Sequence, residues 1–322
     1  MGGGGLNLNR RARARAAALA ERAEALGVER HEVAGAEVLD CGVRAPGGFE
    51  AGRLFAEATM AGLGSVTLVP WAEGGLHLPG VQVVTDRPLE ACLLAQYAGW
   101  ALREAGFSAM ASGPGRALAR VEALFDRYPV AEAPGEALIA LEAPALPPPA
   151  AVAAIARRCG VEPGALTILV ARTASAAGAV QVAARVVETA LHKLGVLGLD
   201  PARVRAAWGT APVAPVAADD LTAMGRTNDC LLYGGRVALL VDAPDEDLAR
   251  LAARLPSGAS PDHGRPFAEI FRERGDFYRV DPFLFSPAAV ALTSTRTGRT
   301  FAAGATDPDL LRRSLFGAAG AG

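Results

Sequence analysis

Gln181, Arg185, Glu188 and His192 recur at spacings of three and four, the repeat that lines side chains along one face of a helix. On such a face Arg185 and Glu188 are neighbours. A guanidinium beside a carboxylate favours the ionised acid, so the pair suits a proton acceptor turned toward a cleft. The plainer reading of the same residues is a solvated ion pair, which is common and weak. From this segment alone the plainer reading is the stronger. The rest of the chain shifts the balance.

The element that must position these residues runs from Thr173 to Leu194, an exit loop after a strand followed by about five turns of helix. Val180, Ala184, Val187, Leu191 and Leu194 form an apolar stripe facing a core. Residues 166–170 read as the buried strand before it, and residues 136–142 with a helix near 150–159 precede that. Strand, helix, strand, helix in this order predicts a βαβ unit in a layered α/β domain. Ligands in such folds gather at the carboxyl ends of strands, where Thr173 and Ser175 fall.

Length and composition bound the function. The 322 residues are 51% hydrophobic and 20% charged, enough for two domains or one large one. A net charge of -2 and only 6% aromatic residues give no basic, base-stacking surface for nucleic acid. Cys41, Cys92, Cys159 and Cys230 are widely separated, and no Cys/His cluster has metal-ligand spacing. They read as reduced thiols of a cytoplasmic protein. No apolar run reaches the roughly 18 residues needed to span a bilayer. The arginine-rich stretch around Arg10–Arg15 leads into an alanine-rich first helix, and residues 1–20 and 317–322 are expected to be disordered.

Glycine and proline punctuate the remainder. Residues 38–43 read as a short strand, Pro46, Gly47 and Gly48 as a break, and residues 51–60 as helix. Strands are expected at 65–69 and 76–85, and a helix at 88–105. Gly113 and Gly115 supply only half of a dinucleotide-binding glycine motif, and no phosphate-loop motif exists. Arg116 beside them is either a holder of an anionic ligand group or a solvent-facing arginine. Residues 209–220, with Pro212 and Pro215, read as a fixed loop. Asn228 and Asp229 stand just before a strand-like run at 231–241, suited to a polar heterocycle or to a turn.

Together the segments D-C-G-V-R-A-P-G-G-F-E-A-G, A-M-A-S-G-P-G-R-A-L, T-A-S-A-A-G-A-V-Q-V-A-A-R-V-V-E-T, G-T-A-P-V-A-P-V-A-A-D-D and A-M-G-R-T-N-D-C-L-L-Y-G-G resemble methenyltetrahydromethanopterin cyclohydrolase. The resemblance runs from about residue 20 to about residue 315, in the family's order. Arg172 departs from it, standing where proline is expected. The resemblance implies a mixed α+β fold of two layered α/β domains with the active cleft between them, assembled as a homotrimer. The domains are placed at 1–87 with 200–322, and at 88–199 as an insert.

The implied activity is the reversible hydrolysis of a methenyl-tetrahydromethanopterin cation to the formyl form, with the pterin carrier as substrate and neither metal nor redox cofactor. Glu188 and Arg185 carry over as the catalytic pair. Gln181 is expected to orient water, and Thr173, Ser175, Asn228 and Asp229 to line the pterin, with Phe49 and Arg116 as further substrate contacts. The alternatives are a non-catalytic carrier-binding subunit and a related pterin formyltransferase.

Overall fold

The computed structural model describes residues 6–133, 135–275 and 279–317. In chain order the strands among them are β1 (Glu29–Val33), β2 (Ala36–Asp40), β3 (Gly64–Glu73), β4 (Leu76–Thr85), β5 (Trp100–Glu104), β6 (Phe107–Ser112), β7 (Ala137–Glu142), β8 (Leu166–Ala171), β9 (Val204–Pro212), β10 (Arg236–Val241), β11 (Ala289–Ser294) and β12 (Thr300–Gly304). They form two mixed six-stranded sheets, each in its own compact unit, and both units carry helices. The chain is therefore a mixed α/β protein of two layered units.

The first unit comprises Met1–Gly64 and Glu90–Gln181, and its sheet runs β1-β2-β8-β7-β6-β5. Three of its four inner strands, β2, β8 and β7, are parallel. β8 is buried along its whole length and β7 up to Glu142, the continuous apolar signature of parallel strands covered on both faces. The helix Pro149–Cys159 makes the crossover between β7 and β8 and buries Ala151, Val152 and Ile155.

The arginine-rich stretch is a helix, Leu8–Glu21, rather than a disordered leader. Asn7 caps it, and Leu8, Ala12, Ala16 and Leu19 are buried. The buried Asn9 ties it to the sheet by accepting the Leu138 N–H at 3.0 Å. The expected disorder at residues 1–5 and 318–322 lies outside the described residues.

The second unit comprises Ser65–Leu89 and Val182–Gly322, with sheet order β12-β11-β10-β9-β4-β3. One face buries Val81, Val83, Ala207, Val237, Leu239, Val290 and Leu292. The helix Val186–Val196 rests on β9, where a Cβ on Gly209 would come within 2.8 Å of Val186. The opposite face leaves Val84, Trp208 and Leu240 exposed. Val84 and Trp208 are direct cross-strand partners.

This partition differs from the sequence-based placement of an insert at 88–199. β2 pairs with β8 and β4 pairs with β9 across long stretches of chain, so each unit is assembled from two separate segments. Local composition carries no signal for such pairing. Residues 88–105 also differ: a π-helical segment, Leu89–Gln96, gives way to β5, where Trp100 and Leu102 are buried and Ala101 and Arg103 are not. That alternation has a period of two, a strand's repeat.

Candidate functional site

In the first unit, β2, β8 and β7 end side by side, with Asp40 opposite Val170 and Glu142 opposite Ala171. Three loops therefore leave the sheet at one end. The loop after β2 is organised by the buried Asp40 carboxylate. It accepts N–H groups from Gly42 at 3.0 Å, Val43 at 2.6 Å, Arg44 at 2.8 Å and Ala45 at 3.1 Å. Gly47 closes the loop with φ of 58°, and a Cβ there would lie 1.9 Å from the Cys41 carbonyl oxygen, so only glycine fits. Phe49 follows as the first residue of the helix Phe49–Thr59, and the residue is 44% exposed.

The loop after β8 places Thr173 and Ser175. Thr173 Oγ1 donates to Glu142 Oε1, and Gln181 Nε2 donates to Glu142 Oε2 at 3.3 Å. Glu142 thus joins Thr173 to Gln181. Nothing in the sequence singled it out except its position as the lone acid ending an otherwise apolar strand. Ser175 donates to the Arg172 carbonyl at 2.8 Å and accepts the Gly178 N–H at 3.0 Å. It is the N-cap of the helix Ala176–Ala183, so its hydroxyl is occupied in holding that helix start.

Residues 176–194 do not form one continuous helix. The chain leaves the Ala176–Ala183 helix at Ala184 and restarts at Val186, with Arg185 as N-cap at φ -83° and ψ 4°. The restart matches the close seat of Val186 and Val187 on Gly209. The i, i+4 relation read from Gln181 to Arg185 therefore breaks at the junction. The relation from Arg185 to Glu188 survives, with Arg185 Nη1 3.3 Å from Glu188 Oε2. Both side chains are buried, at 9% and 6% exposure, which rules out the solvated surface pair. Glu188 also stands in the first turn of its helix, where the N-terminal dipole favours a carboxylate.

The apolar stripe of the sequence reading holds: Val180, Ala184, Val187, Leu191 and Leu194 are all fully buried. Farther along the same helix, Lys193 is buried and donates to the Pro256 and Phe283 carbonyls. Burial lowers its pKa to about 8.

Three expected substrate contacts have other roles. Arg116 is fully buried, with Nε 2.7 Å from Glu122 Oε1, Nη2 2.6 Å from Oε2, and Nη1 donating to the Ala95 carbonyl at 3.1 Å. Its guanidinium also lies 5.4 Å from the Tyr97 and Phe125 ring centres. It is a brace, with its donors used inside the unit. Asn228 and Asp229 lie in the helix Asp220–Gly234, not in a loop before a strand. Asn228 bonds back to the Met224 carbonyl at 2.8 Å. Asp229 is fully buried, accepts the Phe267 N–H at 2.9 Å and the Ser314 hydroxyl, and has its pKa pushed up to about 7 by burial. It joins three helices and offers no edge to a heterocycle.

One grouping with metal-ligand character, Glu29, His31 and Asp40, was invisible to sequence spacing because Glu29 faces Asp40 across the β1–β2 hairpin. The Asp40 oxygens there already accept four backbone N–H groups.

A family model described as Cyclohydrolase (MCH) matches residues 7–315. The chain belongs to this cyclohydrolase family. The match includes the arginine-rich first helix. Among curated relatives, the methenyltetrahydromethanopterin cyclohydrolase of Xanthobacter autotrophicus is 47% identical over 281 residues, covering 87% of this chain and 83% of that protein. The protein of that name from Methylobacterium organophilum is 46% identical over 286 residues, covering 87% and 88%. The one from Methanospirillum hungatei is 41% identical over 300 residues, covering 92% and 95%. Cyclohydrolases of both bacterial and methanospirillar origin are thus similar to this chain along nearly its whole length.

Proposed function

We propose that this protein hydrolyses the methenyl-tetrahydromethanopterin cation, or a closely related carrier's methenyl form, reversibly to the formyl compound in cytoplasmic one-carbon metabolism. The observation that carries the proposal is the family match over residues 7–315, with relatives named methenyltetrahydromethanopterin cyclohydrolase at 41–47% identity. The buried Arg185–Glu188 pair supplies the chemistry.

The methenyl carbon lies between two nitrogens of an amidinium cation, so it is electrophilic without a metal or redox cofactor. Glu188 takes a proton from water as the oxygen adds to that carbon, giving a neutral carbinol. The carbon–nitrogen bond then breaks. Glu188 returns its proton to the departing nitrogen, the carbinol hydroxyl loses its proton to solvent, and the formyl C=O forms. Arg185 holds Glu188 ionised for the first step. Thr173 and Gln181, joined through Glu142, and the exposed Phe49 are proposed carrier contacts. The reading assigns Ser175 to its helix start, and Arg116, Asn228 and Asp229 to the scaffold. A homotrimer is part of the proposal. Its support is the apolar sheet face bearing Val84, Trp208 and Leu240, which suits burial against another copy.

The test is incubation of purified protein with the methenyl pterin alone, in the presence of a strong chelator, following loss of its chromophore. Catalysed loss is expected. Tight binding without loss would favour the non-catalytic subunit, and loss that requires a second one-carbon acceptor would favour the formyltransferase.

A further inference from the structure

The second unit holds a cavity of about 370 Å³ walled by three helices: Asp220–Gly234, Phe267–Arg274 and Pro308–Phe316. Each helix contributes one arginine, Arg226, Arg272 and Arg313, and the lining includes one acid, Glu269. Among the described residues none of the three guanidinium groups has a hydrogen bond or ion pair, whereas nine other arginines of the unit have an acidic partner. Asp219, the acid at the start of the first wall, is hydrogen-bonded to Thr222 and meets Arg226 only through its charge.

Arg226 Nε is the more telling group, because it is buried with no acceptor. A buried donor left unmade is costly, and a ligand oxygen would satisfy it. Pro266 and Ala268, at the start of the Phe267–Arg274 helix, complete that wall of the cavity. Leu221 and Phe316, each 47% exposed, add apolar surface to the lining.

We infer that this cavity binds the phosphoryl or carboxylate group of an organic anion, with Arg226, Arg272 and Arg313 holding the oxyanion and Leu221 and Phe316 meeting its apolar part. Guanidinium forks match both oxyanions in geometry. Glu269 opposes the negative charge and limits affinity. The anion has two possible sources, the one-carbon carrier itself or a separate small metabolite.

The inference is tested by calorimetric titration of the full chain with inorganic phosphate and with phenyl phosphate, which does not depend on the proposed activity. One site per chain is expected, with phenyl phosphate several-fold tighter than phosphate. Arg226→Gln, verified as folded by its circular dichroism and melting, should weaken phenyl phosphate at least tenfold, and Glu269→Gln should strengthen it. Absence of binding, or equal affinity in wild type and Arg226→Gln, would overturn the inference. The source follows from a competition arm: displacement of phenyl phosphate by the pterin carrier assigns the site to the carrier, and simultaneous binding assigns it to a separate anion.

Discussion

Arg116–Glu122 and Arg185–Glu188 are both buried arginine–glutamate pairs, and the proposed mechanism gives them opposite tasks. Arg116 meets its glutamate through two short contacts of 2.6 and 2.7 Å, adds the carbonyls of residues 93 and 95, and lies against two rings. Its partners come from two stretches, residues 93–97 and 122–125, which it locks together. Arg185 and Glu188 are one helical turn apart, 3.3 Å from nitrogen to oxygen, at the start of a helix seated on β9. Burial alone therefore does not mark a catalytic group. In the proposed mechanism the mark of Arg185–Glu188 is its place at the start of a helix, where the dipole favours the carboxylate.

The sharpest test of this contrast is Glu188→Gln, which keeps the shape but removes the proton acceptor. Turnover of the folded variant at saturating methenyl carrier is expected to fall ~100- to 10,000-fold. A rate within a few fold of wild type would place this pair with the braces. Arg185→Ala, in the same assay, should move the acid limb of the rate profile to higher pH, because Glu188 becomes easier to protonate without its guanidinium.

Arg116→Ala should do the reverse, leaving Glu122 as an uncompensated buried charge and lowering unfolding stability by roughly 3–5 kcal/mol in urea titrations. The protein that remains folded should turn over within a few fold of wild type. A selective rise in KM with unchanged stability would return Arg116 to the substrate.

The most pH-dependent effect belongs to Asp229. Burial raises its pKa in the folded protein from the usual 3.8 to about 7, so the folded state binds that proton more tightly than the unfolded chain. Its contribution is greatest below pH 4 and is lost as pH rises toward 7, at up to roughly 1.4 kcal/mol per pH unit. Asp229→Asn should flatten this part of the stability curve, measured by denaturation at fixed pH intervals.

The parts legible in the sequence were those governed by local periodicity. β4, β7 and β8 appear where alternating or continuous apolar runs placed them, and the stripe from Val180 to Leu194 is buried as its spacing required. The Arg185–Glu188 contact was legible because three residues of helix fix it. The broken helix at Ala184–Arg185 was not, since no glycine or proline marks it and its match is Gly209, beyond the helix in sequence. Asn228 and Asp229 were misplaced because polar residues just before an apolar run mimic a turn, while the buried network of Asp229 reaches Phe267 and Ser314. Asp40 and Glu142 went unseen for a similar reason: their work is done on neighbours that only sheet pairing brings near.

The parallel pairing of β2 with β8 also sets a timetable for synthesis. Asp40 and Val170, partners in that register, leave the ribosome about 130 residues apart, a delay of roughly 6–25 s at ordinary translation speeds. During that interval Val38 and Leu39, fully buried in the finished protein, belong to a strand whose central neighbour does not yet exist. The nascent chain therefore carries an apolar, half-made sheet edge for seconds, and its yield in the cell should respond to chaperone supply and to the pace of translation between residues 41 and 171.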